Sequence, residues 1–437
     1  MKFNFVSFVS FIMLVSDLSA TQWSLSQAID RTLENNPDVL IAAESINSAN
    51  AQIQQARAAF RPQVNLHSGY VSTDAPMNAF GMILNQRSFD FGLDFNDPGR
   101  MDDLNLSATV SLPLYTGGQR SAQLNSAKSQ SRSAAHFQEA TRQNITFAVV
   151  RSWHEIIKAK KQLIAQEASQ NAIQRNLKNA GIQYGTGKSL RTEVLNLEVQ
   201  TAQANEKLVQ AKLALDLAKL ALFNLMGEEK IPEGFDIIES AGSVPENIQV
   251  EKLTAKTRPE ESAAEQLLKA AQQQLQATKG NSRPNIAAFA SYEYHKGFEV
   301  DGDGNYWTAG LSLNYPLYDG ANNRSKESIA RAALRKAQEN YRKVKLAVAH
   351  ERKSTDMAYQ NAIDSLSVTQ KVVTQAEESA TINRNRFKNG VILSSELIDV
   401  ETRLTEARML RAVSEARYQI ARADRLRAYG LLTPESI

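Results

Sequence analysis

The sequence predicts a mostly α fold with a small β part, built from two copies of one unit in which long-helix hairpins carry a β-hairpin. Three observations predict it. A set of motifs recurs at a fixed offset, four segments alternate apolar and polar residues, and long proline-free stretches rich in Ala, Gln, Lys and Leu fill most of the rest.

The duplication is read from its landmarks. Pro37 and Pro62 return 222 positions later as Pro259 and Pro284, while Pro113, Tyr115, Gly117 and Gly187 return 203 positions later as Pro316, Tyr318, Gly320 and Gly390. The two offsets differ by 19, so one repeat carries a longer loop between its strands, in the stretch from Ser72 to Asp103. Such a loop is expected to be surface-exposed and to tolerate insertion near Asn85.

In chain order, Lys2 precedes an apolar run from Phe3 to Val15 that closes on Leu18, Ser19 and Ala20, the pattern of a secretory signal removed after residue 20. A helix is expected from Pro37. Val64, Leu66 and Tyr70 then alternate with polar neighbours, as do Leu104, Leu106, Ala108, Val110 and Leu112, which predicts two strands with one apolar face. Residues 120–183 lack proline and predict a helix about 96 Å long. From Leu190 to Leu225 an apolar stripe steps by four and three, a coiled-coil seam. Residues 227–253, rich in Gly, Pro, Glu and Ser, form a linker. The second copy repeats the order: a helix from Pro259, strands around Ile286–Tyr294 and Trp307–Leu317, a long helix over 323–386, and a last helix from Ser394. The boundaries are 1–20 signal, 21–226 first repeat, 227–253 linker, 254–430 second repeat and 431–437 tail.

Composition narrows the function. Lys and Arg number 50 against 47 Asp and Glu, a net charge of +3, which leaves no uniformly basic surface for nucleic acid. Cysteine is absent, excluding disulfides and thiolate chemistry. No two of the five histidines have helical ligand spacing, and no nucleophile, base and orienter can be assembled, so neither a metal, a cofactor nor an enzymatic role is expected. Gly187, Lys188 and Ser189 imitate the end of a phosphate-binding loop, but Ile182 stands where its first glycine belongs. Asp301, Asp303 and Asn305 imitate a calcium loop without its glycine or closing glutamate.

Four strands with one apolar face cannot close a barrel alone, and an open edge in lipid leaves backbone groups unpaired, so chains must pool strands. The duplicated order of helix, RP-strand, PLY-turn, long helix and glycine turn resembles the TolC family of outer-membrane efflux and export channels over residues 24 to 430. The resemblance implies a homotrimer whose four strands per chain make a 12-stranded β-barrel in outer-membrane lipid of a Gram-negative bacterium, continued by a periplasmic α-helical barrel. It implies a passive exit duct of a tripartite efflux pump or type I secretion system, with a periplasmic adaptor (membrane fusion) protein and an inner-membrane transporter as partners. It assigns the helical turns to a periplasmic tip: Tyr184, Gly185, Gly187, Lys188 and Ser189 in the first repeat, and Phe387, Gly390 and Ile392 in the second. It places Glu396 and Asp399, with Glu193 as first-repeat counterpart, at a constriction; taken alone, these are carboxylates favoured by a helix start. Phe387 and Ile392 replace the tyrosine and arginine that latch the tip of the best-known member. The rival functions are a trimeric adhesin, whose strands would lie together at the C-terminus, and a soluble periplasmic coiled-coil adaptor.

Overall fold

The computed structural model describes residues 22–238 and 256–433. The signal segment, part of the linker and the end of the tail lie outside them. The described residues form two compact units, one made of Ala42–Gln138 and Pro259–Ala347, the other of the remaining segments.

The first of these units holds an antiparallel sheet. Its strands β2 (Gln63–Thr73), β3 (Met101–Thr116), β5 (Asn285–Lys296) and β6 (Asp303–Asn314) lie in that order. Leu66, Ala108, Tyr292 and Trp307 stand side by side across the four strands, and the adjoining row is Asn65, Thr109, Ser291 and Thr308. Successive residues point to opposite faces, so one face is apolar and the other polar, as the alternation predicts. The apolar face is open: Leu66 is 84% exposed and Trp307 74%. Among the described residues β2 and β6 are each paired on one side only.

The long loop of this sheet differs from expectation. It contains α3 (Pro76–Asn85), started by its proline and packed through Ala79 and Ile83 on Met101. The neighbourhood of Asn85 is not a slack insertion point. A Cβ on Gly304 would lie 2.0 Å from the Asn85 carbonyl oxygen, so the loop backbone rests directly on β6. A short apolar run between Pro76 and Gln86 lacks the length for a clear helix signal, which is why the sequence shows only a loop.

The other unit is helical. Its helices are α1 (Leu25–Asn35), the start of α2 (Pro37–Ala58), α5 (Arg191–Leu225), α8 (Ser394–Ala428) and parts of α4 (Gln119–Gly185) and α7 (Asn322–Lys388). Helices α4 and α7 are 67 residues each, and α5 and α8 are 35 each, so the repeats match in length as well as in order. The α5 stripe faces inward at Val194, Leu197, Ala204 and Leu222. A second apolar row on the same helix, Leu195, Val199, Val209, Leu213 and Leu217, is exposed.

The sequence reading missed α1, which ends at Asn36 where the following Pro37 disfavours helical backbone. Ser24 starts it through a capping box: its hydroxyl accepts the Gln27 amide at 3.3 Å while Gln27 Oε1 accepts the Ser24 amide at 2.9 Å. Also missed was a parallel pair of two-residue strands, β1 (Gln22–Trp23) and β4 (Asp236–Ile237). That pair sets Trp23 against Phe223 and Phe235, with ring centroids 5.6 and 5.7 Å away. With Trp153, Leu222 and Leu426 these rings form the main core.

Candidate functional site: the paired helical turns

Both turns are built by the same device. Gly187 has φ +74° and Gly390 φ +71°, the left-handed conformation that ends a helix at low cost in glycine. In the first turn Lys188 N–H donates to Gln183 O at 2.8 Å and Gly187 N–H to Tyr184 O at 3.0 Å. In the second, Val391 N–H donates to Arg386 O and Gly390 N–H to Phe387 O, both at 2.9 Å. Each bond recurs 203 residues on, the spacing found in the sequence. The glycine turns of the two repeats are thus one Schellman motif used twice.

The side chains then distinguish the repeats. In the second, Phe387 is 4% exposed and Ile392 is buried, packed with Ala180, Val194, Leu197 and Leu397. Phe387 and Ile392 are therefore core residues of the second turn. In the first turn Tyr184, Gly185, Gly187 and Lys188 are exposed and Ser189 half-buried. The Arg191 guanidinium lies 5.9 Å from the Tyr184 ring centroid, within cation–π range.

Polar contacts join the two turns. Gln183 Nε2 donates to the carbonyls of Phe387 and Lys388 at 3.4 and 3.3 Å. Helix α8 has Leu393 at its N-cap and no side-chain cap of its own; Glu193 Oε2, from the first turn of α5, accepts the Ser394 N–H at 2.6 Å. Glu193 thus acts at a joint between repeats, which its expected place beside Glu396 and Asp399 did not suggest. Further along α8, Glu401 is gripped by Arg384 of α7, with Nε to Oε1 at 2.5 Å and Nη2 to Oε2 at 2.6 Å. The hydrogen bond to Glu401 raises the Arg384 pKa above its ordinary value despite the opposing effect of partial burial. Gln183, Ser394, Arg384 and Glu401 were not found by sequence reasoning.

Glu396 and Asp399 lie on α8 three positions apart, both exposed. That spacing puts them on one helical face, where they can act together on a cation or a neighbouring surface. They are not brought to Glu193's position: its carboxylate is engaged at Ser394 while theirs face solvent.

The chain is 23% identical to outer membrane protein TolC of Vibrio cholerae serotype O1 over 92% of its own length and 89% of the relative's. Its fold matches a crystal structure of CusC with a TM-score of 0.80 and 17% identity, covering 94% of this chain and 92% of that one. It matches VceC from Vibrio cholerae with a TM-score of 0.77 and 19% identity over 93% and 96% of the two chains. The adhesin alternative fails on topology, because α4, α5 and α6 (Pro259–Gly280) separate the two β-hairpins. The model of the outer membrane efflux protein family matches residues 28–228 and 252–429, nearly all of both repeats, and the chain belongs to that family.

Proposed function

We propose that three copies of this outer-membrane efflux protein pool their strands into one 12-stranded barrel, with the helices as the periplasmic part of a passive duct. The observation that carries this is the sheet. One face is apolar and exposed, the other polar, and among the described residues its edge strands β2 and β6 have no strand paired on their outer sides. In lipid those sides must pair, and a second chain supplies the partner without any new secondary structure. The exposed apolar row on α5 supports the same reading, since contiguous apolar surface of this kind marks an interaction site.

Within this assembly, Glu396 and Asp399 form a carboxylate ring at the tip, and Glu193 holds the hairpins together. The turns at Tyr184–Ser189 and Phe387–Ile392 meet a periplasmic adaptor, through which an inner-membrane transporter supplies the work. The mass of the full chain in detergent tests the assembly. A trimer is expected; a stable monomer, or extraction without detergent, would sink the reading.

A further inference from the structure

We infer that the loop spanning 74–100 is an inward-folded constriction with Phe91 and Met77 at its exposed surface, three copies of which meet at the mouth of the strand barrel. The inference rests on the three-copy reading above.

The face on which the loop lies is fixed by register. Asp103, His295 and Tyr306 share the polar face with Asn105, Ser107 and Thr308, because they occupy alternate positions on paired strands. The loop binds that face. Gln86 Nε2 donates to Asp103 Oδ1 at 3.0 Å and to Asp102 O at 2.6 Å, while Arg87 Nη2 reaches edge strand β6, donating to Asn305 O at 2.9 Å and Oδ1 at 3.2 Å. Asp103 is braced from below by His295 Nδ1 at 2.7 Å, and His295 Nε2 lies 3.0 Å from the Tyr306 hydroxyl. Three glycines make room for the approach. A Cβ would lie 2.1 Å from Gln86 at Gly297, 1.6 Å from Ser88 at Gly302, and 2.0 Å from Asn85 at Gly304. Arg87 is held at φ +57°, a conformation unfavourable for a non-glycine residue that persists only where contacts determine it. The loop is therefore fastened inward over the polar face and does not stand free of the sheet.

The surface this loop presents sets exposed aromatic and aliphatic side chains among exposed carboxylates, with Asp90 and Asp94 on either side of Phe91. Phe80, Phe89 and Phe95 pack edge-to-face or stacked at centroid distances of 5.1 to 6.0 Å, leaving Phe91 92% exposed and Met77 nearly as open. A polar face turned away from lipid is the lining of the pooled barrel, so a loop fastened over it projects toward the axis. The loop also leaves directly from β2, the edge strand at which a second copy pairs. Its occupant is accordingly the same loop of the neighbouring copies. Phe91 and Met77 brought together from three copies would narrow a water-filled path at that level, which would give the duct an outer gate besides its periplasmic tip.

The chain has no cysteine, so Phe91→Cys introduces a single reactive thiol. Treating the detergent-purified trimer with a short bismaleimide should link copies through position 91. In planar bilayers, the Met77→Ser, Phe91→Ser double variant should raise conductance, because smaller polar side chains widen and wet the constriction. Trimer mass without cross-linking, or an unchanged conductance, would overturn the inference. Quenching by nitroxide-labelled lipid of a fluorophore attached to the Phe91→Cys variant would overturn it too, by placing the loop outward. A monomeric mass would instead remove the three-copy reading and this inference with it.

Discussion

Glu193 accepts the backbone N–H of Ser394, 201 residues away, so the first helical hairpin supplies the cap that the second lacks. Helix starts leave several N–H groups without intrahelical partners, and a carboxylate there gains from both the hydrogen bond and the helix dipole. Because the partner lies in the other repeat, the contact also fixes the two turns against each other.

Replacing Glu193 with alanine should therefore loosen the second turn. Loss of such a cap costs about 1 kcal/mol, equivalent to roughly a fivefold increase in opening of the segment. Limited proteolysis between residues 388 and 394 should speed up accordingly, while Glu193→Gln, which keeps an acceptor oxygen, should stay close to the parent. Equal cleavage of all three proteins would show that the bond does not stabilise the turn.

Acid should weaken the helical unit through Glu415. Burial pushes this carboxyl up, but hydrogen bonds from Lys161 at 2.6 Å and Arg411 at 2.8 Å, with their charges, outweigh it and hold the group below its ordinary 4.5. A depressed carboxylate contributes its stability fully above its unfolded value and loses it as pH falls through the lower folded one. Thermal unfolding from pH 7 to pH 3 should show Glu415→Gln less stable than the parent by about 1 kcal/mol at neutral pH. The gap should close below pH 4.5. A gap that stays constant with pH would assign the loss to packing.

The repeat makes a paired test at two equivalent glycines. Gly117 and Gly320 both have left-handed backbone, at φ +62° and +68°, but a Cβ on Gly117 would lie 2.5 Å from the Gly280 carbonyl oxygen, whereas none meets an atom within 4 Å at Gly320. Gly320→Ala should cost only the conformational penalty, about 1 kcal/mol. Gly117→Ala must also move backbone and should sharply reduce the yield of folded, heat-modifiable protein. Similar yields would mean that the α6 end yields freely to the added methyl.

What was legible in the sequence is what repeats or alternates. The 203-residue offset located both glycine turns, and period-2 patterning located all four strands of the sheet, including the outward face of Leu66 and Trp307. What was not legible depends on partners distant in sequence. Glu193 looks like any acidic residue in a first helical turn, since nothing local points to Ser394. Arg384 and Glu401 lie in charged helical faces indistinguishable from solvated ones, yet Glu401 is buried by the hairpin. The two-residue strands at Trp23 and Asp236 are too short to have a period. Phe387 and Ile392 stood out only as departures from a polar latch; their packing shows why an apolar pair is accommodated there.

The two carboxylates near the start of α8, placed at the tip by the proposed assembly, provide the most direct test of conduction. Glu396 and Asp399 are exposed on one face of α8, and among the described residues neither is held in an ion pair or hydrogen bond that would neutralise it. Three-fold repetition would set six such groups around a narrow axis, where low-dielectric walls focus the field and raise the local concentration of cations. The Glu396→Ala, Asp399→Ala double variant removes that charge while alanine maintains or improves helix propensity. It should form trimers of normal mass, lose cation preference in planar bilayers, and require trivalent cation at about tenfold or higher concentration for block, the lower end of the enrichment a focused field gives. Glu193→Ala serves as the contrast. Its carboxylate is already committed to Ser394, so it should alter the stability of the turn with little change in selectivity. If selectivity and block survive in the double variant but fall in Glu193→Ala, the ring lies on α5, and Glu396 and Asp399 serve only the start of their own helix.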